Sequence, residues 1–170
     1  MIRGTWLGVT ALVTLVIGAT ATVGISGQSS EVEKIREQLV GSYALVWYNS
    51  YDAAGKETKL PYSVGQISYD RAGRMSAQLV RDGQPKFTTS PPSEKERATA
   101  YSSFISYFGG YDIDPVKRSV THHVQGAMNA SMVGNDLTRY FEFSPDGKSL
   151  FLSVKDGDRV VGRLRWDKYR

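Results

Sequence analysis

DLTRYFEFSPDGKSLFLSVKDGDRVVGRLRWDKY, residues 136–169, holds three runs rich in β-branched, aromatic and aliphatic residues, separated by two short polar stretches. The runs 136–144, 149–156 and 159–169 read as strands, and SPDGKS and DGD read as turns in which Gly supplies positive φ. Connections this short join strands antiparallel. The segment specifies a meander.

The same habit extends upstream. SYALVWYNSY (42–51) is a first strand, and VGQISYD (64–70), the turn RAG and RMSAQLVR (74–81) form a hairpin. Strands resume at GYDID (110–114) and KRSVTHHVQGA (117–127). Between them, residues 82–110 read as a proline-bearing loop and then a helix from about Ser93, with Ala98, Tyr101, Phe104, Ile105 and Phe108 on one face, packing against the sheet. A second short helix, within 28–40, is expected from Val32, Ile35 and Leu39 at helical spacing, with Ser30 as N-cap and Glu33 as its capping-box partner.

Eight consecutive antiparallel strands remove their edges by closing on themselves. Eight also leave an interior wide enough to be filled or to hold one small ligand. The expected fold is therefore all-β with two short helices, an eight-stranded antiparallel up-and-down β-barrel spanning 41–170.

Composition agrees. The 170 residues are 41% hydrophobic and 11% aromatic, with 10 Tyr against 6 Phe and 3 Trp, enough apolar surface for one core. A net charge of +4 is spread over scattered Lys and Arg, so no basic stripe suggests nucleic acid. The absence of Cys excludes disulfides, thiolate nucleophiles and thiolate metal sites.

Residues 1–27 begin with a single Arg3, continue apolar or small from Thr5 to Ile25, and end in small and polar residues. That is the layout of a secretory signal, with Ala19-Thr20-Ala21 or Gly27 as cleavage positions. The alternative is a retained anchor, since about 20 apolar residues can span a bilayer. Either way the domain is expected to be secreted or periplasmic, touching a membrane only through this segment if it is uncleaved.

LVGSYAL, GQISYDRAGRMSAQLVR, SSFISYFGGYDID, VTHHVQGAMNASMVGNDLTRYFEF and GRLRWDK follow one another in order. Through them the chain resembles the bacterial and fungal lipocalin-like domain family from Leu39 to Lys168. The resemblance implies a calycin-type barrel with a calyx-like interior, usually a stand-alone domain. Lipocalin-like folds include isomerases and cyclases, so the fold alone does not name a function. Where transport lipocalins carry Gly-x-Trp in the first strand, this chain has Gly41-Ser42-Tyr43, and Tyr43 takes the place at the barrel base.

Alternate strand residues face opposite sides. His122 shares a face with the apolar Val120 and Val124 and should point inward, whereas His123 should point outward. Ligands on opposite faces make a poor metal site, so no metal and no cofactor is expected. The residues read as ligand contacts are His122, Tyr43, Trp47, Gln66, Tyr69, Met75, Arg139, Phe141 and Trp166. Arg139 shares its face with Leu137, Phe141 and Phe143, and an inward guanidinium needs a carboxylate or a ligand anion; the alternative is a bulge that puts Tyr140 inside instead. The loop 126–136, with two Met, suits an adaptable rim.

The primary expectation is a barrel that binds a small, largely apolar ligand. One alternative is an isomerase or cyclase acting on a small hydrophobic metabolite with His122 as acid or base. Another is a structural or interaction barrel with a filled core. No catalytic constellation other than His122 is present, so a binding protein is favoured over an enzyme.

Overall fold

The computed structural model describes residues 23–169. In chain order it contains helix α1 (Val23–Leu39), strands β1 (Gly41–Tyr51), β2 (Glu57–Lys59), β3 (Tyr62–Tyr69) and β4 (Arg74–Arg81), and helix α2 (Glu94–Ser102). Strands β5 (Phe104–Asp114), β6 (Ser119–Ala127), β7 (Asp136–Phe143), β8 (Ser149–Asp156) and β9 (Arg159–Lys168) follow, with a 3-10 turn at Ala130–Met132. Each long strand pairs antiparallel with its neighbour in sequence, and β1 pairs with β9. The result is a closed eight-stranded up-and-down barrel. The short β2 adds to the end of β1 as an extra edge.

The meander forms where local chemistry demands it. At the β7–β8 turn the Asp146 carboxylate accepts from the Lys148 N–H and Gly147 sits at φ 68°; at β8–β9, Gly157 sits at φ 60°. Alternation then sends Met75, Ala77 and Leu79 of β4 and Gly162, Leu164 and Trp166 of β9 inward.

Two local expectations are corrected. Helix α2 ends at Ser102, and its predicted apolar face is not one: no α2 residue is buried, and Phe104 and Ile105 instead pair with Val80 and Leu79 of β4. Long-range pairing along the whole of β4 outweighs the helical spacing. Helix α1 runs straight through Ser30, whose hydroxyl donates to the Gly27 carbonyl, so Ser30 is not its N-cap. The capping box lies at α2, between Ser93 and Glu96. The predicted secretory segment lies outside the described residues except for 23–27, the start of α1. Among the described residues no helix is long and apolar enough to cross a membrane.

Helix α1 closes one end of the barrel by burying Ile35 and Leu39. Its last carbonyls would lack partners inside the barrel. Tyr43 supplies one: its hydroxyl lies 2.9 Å from the Gln38 carbonyl and 3.0 Å from that of Leu39. Burial pushes this phenol up to about 12, so it remains a donor. The Lys168 ammonium also reaches the Gln38 carbonyl, over the Tyr43 ring. Tyr43→Phe, which keeps the ring and deletes the donor, should cost about 1 kcal/mol. A lowered urea midpoint at unchanged slope checks this.

Candidate functional site

The interior has a filled lower part and an open upper part. Toward α1, the side chains of Leu39, Tyr43, Val120 and Leu150 are almost completely excluded from solvent and belong to the packed core. At the opposite end a cavity of about 390 Å³ lies within the wall. Ile67, Ala77, Leu79, Leu152, Leu164 and Trp166 form its apolar surface. Tyr101 of α2 and Met128 and Met132 of the β6–β7 connection stand at its rim, with Tyr101 and Met128 largely exposed.

Between the two parts sits His122, fully buried. Its Nε2 lies 2.8 Å from the Tyr69 hydroxyl and its Nδ1 3.1 Å from the Tyr107 hydroxyl. Burial, then the charges of Arg139 and His123, hold the imidazole down at about 3, so it is neutral at ordinary pH. A neutral imidazole has one donor and one acceptor. Burial raises Tyr69 well above the usual phenol range, so its O–H stays protonated. Leaving that buried hydrogen unbonded would be costly, so Tyr69 donates to Nε2. The ring proton is thereby assigned to Nδ1, which donates to the Tyr107 oxygen. Tyr107 lines the cavity, and its own hydrogen remains available there.

Arg139 is held by β7 opposite Val120, an inward-facing residue of β6, and lines the cavity. Its Nη1 donates to the Thr138 carbonyl at 2.9 Å. The cavity wall contains no Asp or Glu, and Arg139 joins no ion pair among the described residues. Its charge, and a hydrogen bond to the hydroxyl, lower the pKa of Tyr107 against the larger upward effect of burial. Tyr140 lies on the outer side beneath the Lys155 ammonium, so the bulge alternative for β7 does not apply.

The residues expected at a ligand site separate into four groups. Trp166 and Arg139 line the cavity. Tyr69 and His122 lie just beneath it, and His122 has both nitrogens engaged by tyrosines. Tyr43, Met75 and Phe141 belong to the packed core. Trp47 and Gln66 face outward, against expectation. A β-bulge between Leu45 and Trp47 inserts one residue and reverses the alternation, so Trp47 packs against Phe151 on the outer surface and Tyr48 takes the inner position. Gln66 is exposed and bonds Ser68, because Ile67 and Tyr69 occupy the inner face of β3.

Tyr48 and Tyr107 are the polar-tipped aromatic residues among the cavity positions that sequence reasoning missed. Tyr107 fell within the stretch read as helix. The alternation of Ile105, Tyr107 and Gly109 against Ser106 and Phe108 was the available signal for a strand.

On the outside, His123 bridges Asp136 (Nδ1, 2.6 Å) and Asp112 (Nε2, 2.9 Å), joining β5, β6 and β7. The hydrogen bonds to Asp136 and Asp112 raise its pKa. With both nitrogens facing carboxylate oxygens it is a protonated clamp. Among the described residues no cluster of His, Asp and Glu could hold a metal ion.

A family model described as a lipocalin-like domain matches residues 40–169, which is the whole barrel. No curated protein matches the chain.

Proposed function

The chain belongs to the lipocalin-like domain family, and from that premise we propose that its barrel receives a small, largely apolar ligand in the upper part of the interior. The observation that carries this reading is the cavity of about 390 Å³. It falls in the range of small-molecule sites, which combine apolar walls with a few placed polar groups. Burying a ligand there would contribute about 0.8 kcal/mol per CH₂ removed from water. The mobile chemistry of the rim, Met128 and Met132, suits adaptation to the ligand's shape.

Binding is favoured over catalysis because His122 is neutral, enclosed and separated from the cavity by Tyr107. A barrel serving only as scaffold would gain nothing from leaving its upper part open. We further propose that residues 1–27 direct the domain to the periplasm or the exterior. The motivating feature is the Arg3, apolar and small-residue layout of that segment.

Native mass spectrometry of protein purified from the cells that make it tests the binding reading. A noncovalent adduct of small-molecule mass, lost on denaturation, is the expected result. An apo mass from such cells, together with exclusion of added apolar compounds, would contradict it. Cell fractionation tests export, and recovery of the domain in the cytoplasm with residues 1–27 intact would overturn that proposal.

A further inference from the structure

Building on the binding reading, we propose that the ligand of this cavity is an apolar carboxylic acid whose carboxylate is received by Arg139 and the Tyr107 hydroxyl. Two observations carry this. The first is the guanidinium in a largely apolar wall: half-buried Arg139 lines the cavity, donates to the Thr138 carbonyl and bonds the Tyr107 hydroxyl, and among the described residues no Asp or Glu lines that wall. A cation set among apolar side chains is a natural partner for a hydrogen-bonding anion, and the guanidinium fork matches a carboxylate in shape. Among the described residues none pairs with it.

The second is the direction of the hydrogen bonds behind it. Tyr69 donates to His122, and His122 donates to the Tyr107 oxygen, which leaves the Tyr107 hydrogen for an acceptor inside the cavity. The buried chain Tyr69–His122–Tyr107 therefore ends as a donor beside a cation. A carboxylate accepts from both. An ammonium headgroup would meet a like charge, and an alcohol would leave the guanidinium without a counterion. The rest of the wall is aliphatic and aromatic, so the body of the acid is apolar.

The experiment uses the neutral fluorophore N-phenylnaphthylamine to report occupancy, and decanoate and decanol as competitors matched in chain and different in head. The wild-type barrel should bind the fluorophore, and decanoate should displace it at about tenfold lower concentration than decanol. Arg139→Gln should lose the preference for decanoate, with decanol as the reference within the same variant. Tyr107→Phe, which leaves the cation in place, should lose part of it. Equal competition by decanoate and decanol in the wild-type protein, or a decanoate preference undiminished in Arg139→Gln, would overturn the carboxylate assignment while leaving the cavity reading intact. Failure of the fluorophore and both competitors to bind would overturn the two together.

Discussion

On acidification from about pH 7 to about pH 4 the protein should lose about 3 kcal/mol of folding stability through His122 alone. The folded imidazole titrates at about 3, against the ordinary 6.5 of an unfolded chain. Between those values the unfolded chain binds a proton that the folded protein refuses. Stability is therefore complete above about 6.5, falls by about 1.4 kcal/mol for each pH unit below it, and levels off only below about 3. The cause is the site itself: burial first, then the charges of Arg139 and His123. His123 acts in the opposite sense. Its folded pKa lies above the unfolded value, so its contribution is fully present below about 6.5 and is lost as pH rises through the folded pKa.

His122→Gln separates the terms, because it offers an acceptor and a donor to the two tyrosines and does not titrate. Urea denaturation of both proteins at the two pH values is the measurement. The wild-type protein should lose about 3 kcal/mol more than the variant, whose carboxylates and His123 are unchanged. Equal losses would mean that His122 is not the neutral, enclosed group described above.

Gly109→Ala should destabilise the barrel by about 3 kcal/mol or more, at the upper end of the range for overpacking. A Cβ at Gly109 would lie 1.8 Å from the His123 carbonyl oxygen and 3.0 Å from the Gln125 nitrogen. Both are backbone atoms, so no side chain can swing away. The crowding arises at the bulge between Phe108 and Gly109, where β6 closes over β5. For a domain of this size the melting temperature should fall by roughly 6–12 °C. The neighbouring Gly110 is the control: its nearest contact is the Gly73 carbonyl oxygen at 3.7 Å, so Gly110→Ala should melt within a degree or two of the wild type. Similar melting of the two variants would contradict the close approach of β5 and β6.

What could be read from the sequence was what is locally encoded. The meander at 136–169 is legible because the alternation of each strand and the glycine of each turn lie within a few residues of one another. Phe104, Ile105 and Phe108 satisfy helical spacing and strand composition alike. What decides between them is β4, about 25 residues earlier, whose residues 74–80 pair with residues 104–110 of β5. Trp47 was misplaced because one bulged residue reverses every side chain after it, and nothing in SYALVWYNSY marks that residue. Gln66 is a different case. It stands three positions from Tyr69, so strand alternation alone already forbids both from facing inward. For His122 parity correctly indicates the interior, but depth within the barrel depends on Tyr69 and Tyr107, which arrive from other strands. Arg139 was the most informative residue of the sequence reading, because a guanidinium on an apolar face poses a chemical question that the fold then sharpens.

A ligand in the interior is tested most directly by titrating N-phenylnaphthylamine into the wild-type barrel and into Ala77→Phe, with Val154→Phe as a second variant that obstructs the same cavity. Ala77 and Val154 both line its wall, so either ring would occupy ligand space. Saturable binding of one fluorophore per wild-type barrel is expected, with its loss in whichever variants retain the wild-type circular dichroism spectrum. Binding of undiminished affinity to a folded, cavity-filled variant, or no binding to the wild type, would contradict a ligand in the interior.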